Sequence, residues 1–363
     1  MTSTLFNTVK LGKITLDNRV GVAPMTRTSA TPEGLATDQM VDYYAKFARG
    51  GFGLIITEGT YSDNTYSQGY FDQPGIINNE QVTAWKKVTE AVHQEGGKVI
   101  VQLMHAGALS QGNQFTKETL GPSAVQPKGE QMAFYGGDGA FQVPKEATKD
   151  DITEVIKGFV EASKNAKEAG FDGIEIHGAN GYILDQFLTD YTNKRTDEYG
   201  GSTENRVRLL EKVSRAVREA VGQDYTVGIR ISQGKVNDYD HKWANKEKDA
   251  EIIFGQLAQA GLDYIHVTDF EAWQPAFGDE GPTFAALAKK YGKLPVIANG
   301  SLHDPEKAKE IVEKGGADII TLARGALSNG DWANKVKNGE KPEEFVPEKV
   351  LSPDAKIKDF ETK

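Results

Sequence analysis

Three segments of this 363-residue chain share one design: AKEAGFDGIEIHGA (166–179), LAQAGLDYIHVTD (257–269) and VEKGGADIITLARG (312–325). In each, a helical stretch stops at a glycine (Gly170, Gly261 or Gly316) and a short, β-branched apolar run begins. Glycine suits the left-handed residue that closes a helix C-terminus, and the run that follows suits a buried strand. The unit is the helix-to-strand connection of a parallel sheet. A looser copy, AVHQEGGKVIVQLMHAG (91–107), sets Gly97 before a strand at 98–103.

Further runs at 19–23, 52–57, 226–231 and 294–298 bring the strands to eight, with helices predicted at 38–49, 79–94, 150–168, 203–221, 246–260, 282–291, 305–314 and 331–337. Thr148 with Asp151 makes a capping-box pair, and Asp304 stands before Pro305, both marks of a helix start. Eight strands alternating with helices predict a (β/α)8 TIM barrel, an α/β fold, with residues 1–363 as one domain. Residues 9–19, VKLGKITLDNR, read as an N-terminal β-hairpin that plugs the barrel's lower end, and 108–147 as a Gly- and Pro-rich excursion after strand three. An open dinucleotide-binding sheet loses its main support, because the chain has no GxGxxG and no Gly-Lys followed by Ser or Thr.

With a net charge of −10 and a pI near 5.3, the surface has no bulk attraction for nucleic acid or anionic membrane. A mean hydropathy of −0.49 and the lack of an apolar run near 18 residues predict a soluble protein. The start MTSTLFNTVK lacks a signal-peptide core, and a cytoplasmic location is expected. Zero cysteines exclude disulfides, thiolate nucleophiles and Fe–S clusters. His93, His241, His266 and His303 fall in no metal-binding spacing, so no metal is expected.

In such a barrel, chemistry gathers just beyond the C-terminal ends of the strands. There the chain offers 23–27 (APMTR), Glu58 and Gly59, Gln102 and His105, then His177, Asn180 and Tyr182, followed by Arg230, Asp269, Asn299 with Gly300, and Arg324 with Gly325. Loops after strands seven and eight commonly take phosphate. The backbone at Asn299 and Gly300 with the Arg324 guanidinium suits a phosphate monoester, unless a carboxylate already pairs Arg324. Arg230 suits an electron-rich ring or an ion pair with Glu58 or Glu175. His177 and Asn180 are two donors suited to an oxygen that gains charge, although a buried, satisfied histidine is the plainer reading. Tyr182 reads as a proton donor to a basic carbon or as a loop tyrosine. Phe134, Tyr135, Phe141, Phe270, Trp273 and Phe277 sit on long loops, as lids or as packing.

The motifs APMTR (23–27), ITEG (56–59), VQLMHAG (101–107), HGANGYILDQFL (177–188) and NKRTDEYGGSTENRVRLL (193–210) resemble the Old Yellow Enzyme family of FMN-dependent ene-reductases along essentially the whole chain. The resemblance implies FMN as cofactor. Thr26 would bond the flavin's carbonyl edge, Gln102 and Arg230 its pyrimidine side, and Pro24, Met25 and Gly59 would line the ring, with His177 beside it. Asn299, Gly300, Ala323 and Arg324 would take the FMN phosphate. His177 and Asn180 would bind the substrate's carbonyl oxygen, and Tyr182 would be the proton donor.

The implied activity is reduction of activated C=C bonds in α,β-unsaturated carbonyl compounds. NADPH or NADH would reduce the flavin, whose N5 then gives hydride to Cβ while Tyr182 protonates Cα. Thr26 and Asn180 stand where one bacterial branch has cysteine and a second histidine, and Met104 replaces a tryptophan familiar in yeast members. A monomer or homodimer is expected. Two other readings keep part of this pattern: a flavin-free aldolase or isomerase acting on a phosphorylated substrate, which would want a strand-end lysine, and a barrel that binds FMN or a metabolite without turnover.

Overall fold

Eight parallel strands close on themselves in the computed structural model, which describes residues 4–363. In chain order the strands are β1 (Val9–Leu11), β2 (Ile14–Leu16), β3 (Val20–Val22), β4 (Leu54–Tyr61), β5 (Val99–Met104), β6 (Leu120–Gly121), β7 (Lys145–Glu146), β8 (Gly173–Asn180), β9 (Thr226–Lys235), β10 (Tyr264–Thr268), β11 (Val296–Asn299) and β12 (Ile319–Leu322). The barrel runs β3-β4-β5-β8-β9-β10-β11-β12 and back to β3. The expected TIM barrel is therefore what the chain forms. Gly170, Gly261 and Gly316 carry φ of 84°, 79° and 89°, the left-handed geometry that a side chain resists.

The hairpin β1–β2 pairs antiparallel and pushes Leu11 and Leu16 against Leu54, Ile56, Ile100, Tyr264, Ile297 and Ile319. It seals the lower end of the barrel, as expected. The excursion after β5 carries only the short β6–β7 pair and two single turns of 3-10 helix.

The helices are α1 (Asp38–Arg49), α2 (Asn79–Gln94), α3 (Lys149–Glu168), α4 (Ile183–Leu188), α5 (Thr203–Arg206), α6 (Arg208–Val221), α7 (Glu247–Ala258), α8 (Phe284–Gly292), α9 (Pro305–Glu313), α10 (Arg324–Ser328), α11 (Trp332–Lys337) and α12 (Pro347–Leu351). Both predicted caps form: Thr148 and Asp151 exchange side-chain bonds with each other's backbone, and Asp304 accepts from Glu306 N and Lys307 N. The helix expected over 203–221 breaks at Val207, and the one expected from Lys246 begins a residue later because Lys246 has φ 52°. The helix expected from Pro282 begins at Phe284, where Thr283 caps it by accepting from Ala286 N. Among the described residues, no helix is long and apolar enough to cross a membrane.

β4 and β9 run four residues past their predicted ends, to Tyr61 and Lys235, β5 and β11 run one residue past theirs, and β8 continues to Asn180. The pairing slips between Ile56 and Gly59 and again between Gly178 and Asn180. Both irregularities lie at the upper rim, where a bulge can re-aim a side chain.

The C-terminal segment docks on the loop after β3. Arg27 is fully buried and spends all five of its N–H donors: on both oxygens of Glu361 at 2.7 and 2.6 Å, on Ala355 O, on Lys356 O and on Tyr43 OH. Ile357 N adds a bond to Ser29 Oγ, and Ala355 N one to Phe134 O. The APMTR arginine thus fastens the tail rather than facing the rim.

Candidate active site

β8 delivers His177 and Asn180 to the rim, and the turn beyond it delivers Tyr182 as the residue preceding α4. Positions 177 and 180 would face opposite sides of an unbroken strand. The slip after Gly178 and the left-handed Asn180, φ 63°, end that alternation. His177 is buried, yet its Nδ1 has no partner among the described residues. Burial, together with the charges of Arg230 and His266, holds its imidazole well below its usual range, so it stands neutral, with one N–H to donate. The plainer expectation of a satisfied core histidine does not hold. Asn180 lines a cleft with Ser232, Tyr239, Thr268 and Phe270, and its side-chain amide bonds nothing in the described residues.

Tyr182 is buried too, edge-on to His177 with ring centroids 5.0 Å apart. Its hydroxyl lies 2.6 Å from that of Tyr70. Burial pushes it up to about 12, so it stays protonated across the working pH range. Tyr70 stacks on Tyr135 at 4.5 Å, and Tyr135 OH donates to Thr26 O at 3.1 Å. A chain of three tyrosines therefore connects the β8 turn to the loop after β3, on which Pro24, Met25 and Thr26 are half-exposed.

The floor between them is a buried polar layer. Gln102 Nε2 donates to Glu175 Oε1 at 2.9 Å; the other Glu175 oxygen takes His266 Nδ1 at 2.8 Å and Tyr264 OH at 3.2 Å. Burial alone would push Glu175 up, but His266, Arg230 and Gln102 hold it below its usual range. With one amide N–H given to Glu175, Gln102 keeps its carbonyl oxygen as an acceptor. Arg230 makes neither expected ion pair. Its Nη2 bonds Asn299 Oδ1 at 2.9 Å, its Nε is buried without a partner among the described residues, and Glu58 instead accepts from Arg27 N and Thr28 N. Burial lowers Arg230 to about 10, which leaves it a cation.

Beyond β11 and β12 a cleft is lined by Asn299, Gly300, Ser301, Ala323, Arg324 and Gly325. Gly300 has φ 142°, and a Cβ there would strike Asp269 O. Arg324 is exposed, lies over the Phe270 ring at 5.7 Å, donates to Ser301 Oγ and pairs with no carboxylate in the described residues. The carboxylate alternative is therefore absent. Asn299 turns its side chain away, donating to Thr321 O and accepting from Arg230 and Thr268, so only its backbone faces the cleft. Across the barrel, Gly59 packs against Met104, whose Sδ would have to shift to admit a Cβ there.

This donor set matches a flat, hydrogen-bonding heterocycle over the floor with a phosphate at β11 and β12, and the whole chain has relatives of that chemistry. A family model described as the NADH:flavin oxidoreductase / NADH oxidase family matches residues 4–343. The chain belongs to this family, the Old Yellow Enzyme family. It is 35% identical over 371 residues to 12-oxophytodienoate reductase 7 of Oryza sativa subsp. japonica, covering 96% of this chain and 92% of that protein. It is 34% identical to an NADH oxidase of Thermoanaerobacter brockii over 93% of this chain, but spans only 51% of that protein's length. The solved structure of an old yellow enzyme homologue from Zymomonas mobilis matches with a TM-score of 0.88 and 30% identity, over 99% of this chain and 98% of that one.

Within this Old Yellow Enzyme barrel, the sequence reading missed Tyr70, which lies outside every strand-end motif, and His266, dismissed for its spacing although it alternates inward on β10. It also missed Lys235, because β9 was ended at Ile231. The lysine that a flavin-free aldolase would need does exist at a strand end, but both Asp185 oxygens hold its ammonium, at 3.0 and 2.9 Å. Of the loop aromatics, Phe141 is buried, Trp273 and Phe277 pack on the core, Tyr135 joins the tyrosine chain, and Phe270 stands 72% exposed at the rim.

Proposed function

We propose that this Old Yellow Enzyme family member reduces activated C=C bonds of α,β-unsaturated carbonyl compounds, with FMN as cofactor and NADPH or NADH as reductant, the chain working as one catalytic domain. The observation that carries the reading is the neutral His177, buried against a protonated Tyr182 with a ring nitrogen that bonds nothing among the described residues, and followed three residues on by the unbonded amide of Asn180. A relative named for reducing 12-oxophytodienoate supports the substrate class.

Gln102 and Arg230 would hold the pyrimidine edge of FMN and Thr26 its carbonyl edge. Pro24, Met25, Gly59 and His177 would border the ring. The backbone of Asn299, Gly300 and Ala323, with the Arg324 guanidinium, would take the phosphate. When bound, the flavin supplies the hydride. His177 and Asn180 grip the substrate's carbonyl oxygen and stabilise the negative charge that grows on it. Tyr182 gives its hydroxyl proton to Cα, an enolate carbon basic enough to take it, and Tyr70 holds that hydroxyl in place. The buried site keeps water from competing for the proton.

The test is direct. The purified protein is expected to be yellow, to bleach anaerobically with NADPH and to recover its colour with 2-cyclohexenone; a colourless preparation that takes up no FMN sinks the reading. Tyr182→Phe should slow the oxidative half-reaction of a weakly activated enone by about 10²–10⁴-fold, the range of general acid catalysis, and leave reduction by NADPH intact. Because Tyr182 titrates near 12, the wild-type proton-transfer rate should stay flat from neutral to mildly alkaline pH in stopped-flow traces. Arg324→Ala should raise the FMN dissociation constant by about 10- to 100-fold, the worth of charge-assisted bonds, as read by fluorescence titration of the apoprotein.

A further inference from the structure

The turn that aims Asn180 and Tyr182 is left-handed at two successive residues, with φ 63° at Asn180 and 90° at Gly181. Such a turn persists only where its surroundings over-determine it. All four of its backbone groups are bonded. Asn180 N donates to Ser232 Oγ at 2.8 Å, and Asn180 O accepts from Val236 N at 3.1 Å. Gly181 N donates to Asp185 Oδ2 at 2.7 Å, and Gly181 O accepts from Gln186 Nε2 at 2.7 Å.

Asp185 is in turn held from β9. Lys235 Nζ contacts both its oxygens and Gln233 O at 3.2 Å, which uses all three ammonium donors. The two side chains are 2% and 0% exposed. Lys235 is also the Cα partner of Asn180 in the β8–β9 ladder. The end of β9 therefore reaches the turn by three routes: Ser232, Val236 and the Lys235–Asp185 pair. A buried ion pair is weak evidence of stability, since apolar residues of similar volume often serve as well, whereas its geometry is specific.

We infer that Lys235 and Asp185 are positioning residues for the reduction proposed above, on which this inference rests. The ammonium locks the Asp185 carboxylate against Gly181 N, and this fixes where Asn180 and Tyr182 point. The pair touches no reacting atom.

The test compares the FMN-loaded wild type with Lys235→Met, Lys235→Arg and Asp185→Asn, the last being a neutral replacement of nearly the same shape. Affinity for a phenol, whose oxygen on an unsaturated ring imitates the enolate oxygen, is read by perturbation of flavin absorption, and the two half-reactions by stopped flow with NADPH and 2-cyclohexenone. Lys235→Met and Asp185→Asn are expected to weaken phenol binding and slow the oxidative half-reaction by about tenfold to a hundredfold, the cost of misplacing groups by a fraction of an ångström to one. The reductive half-reaction should fall less, and Lys235→Arg should recover most of the loss. If Lys235→Met does not load FMN, Asp185→Asn decides. Loaded variants with wild-type phenol affinity and oxidative rate overturn the inference, as does an equal fall in both half-reactions that Lys235→Arg does not rescue. A wild type that oxidises neither NADPH nor NADH would overturn the function itself, a result distinguishable from either.

Discussion

His177→Ala should lower the rate of the oxidative half-reaction by about 10²–10³-fold, equivalent to about 2.7–4 kcal/mol, the loss seen when one donor to a developing oxyanion is removed. The size follows from the surroundings. His177 is buried, its Nδ1 has no hydrogen-bond partner among the described residues, and burial, with Arg230 and His266, keeps it neutral. A neutral donor in a buried site is already oriented, so it reorganises little as charge builds on the substrate oxygen. Its contribution should also be insensitive to pH: because the folded imidazole titrates well below its usual range, phenol binding should show no inflection from His177 at pH 6.5 or above. An inflection near pH 6.5 that disappears in His177→Ala would contradict this.

Asn180 needs a different substitution. Alanine there would remove the amide and also force a left-handed alanine at φ 63°, which adds backbone strain of about 1 kcal/mol. Asn180→Gly removes the donor without that strain and is the cleaner probe. The two losses should not add in His177→Ala/Asn180→Gly, because both donors serve one oxygen. A double variant no worse than either single one fits that reading; two fully independent losses do not.

The barrel was legible because its signal is repeated. A helix, a glycine and a short apolar run recur three times clearly, and each copy places a left-handed residue where the structure has one, at Gly170, Gly261 and Gly316. The strand-end residues were legible for a related reason: the fold itself decides which end carries chemistry. What escaped is non-local. Tyr70 is 112 residues from Tyr182 and meets it only through the tertiary fold. Lys235 looked like a loop residue because β9 continues through Gln233 and Gly234, where no apolar period marks a strand. Asn299 sat in a motif that suggested an anion, yet its side chain serves the floor, a choice made by Arg230 and Thr321 on other strands. The tail was unreadable from its composition, since high charge looks the same whether solvated or buried.

That tail carries the second large effect. Glu361→Ala should destabilise the protein by about 3–5 kcal/mol, measured by urea unfolding at fixed excess FMN, so that ligand binding contributes equally to both proteins. The carboxylate of Glu361 is the counter-ion of Arg27, and both side chains are 1% exposed. Removing it leaves a buried guanidinium with two N–H groups unbonded, and the remaining partners, Ala355 O, Lys356 O and Tyr43 OH, are neutral. The loss should reach the rim as well. Arg27 directly follows Thr26, and Ala355 N holds Phe134 O beside Tyr135, whose hydroxyl bonds Thr26 O. Freed from the tail, that loop should lower FMN affinity along with stability. Replacing both partners, in Arg27→Met/Glu361→Leu, removes the charge together with its counter-ion and should recover much of the stability, because an apolar pair of similar volume fills the same space without stranding a charge. If the double variant is as unstable as Glu361→Ala, the pair is not the origin of the effect, and the tail is held instead by Ile357 and its bond to Ser29.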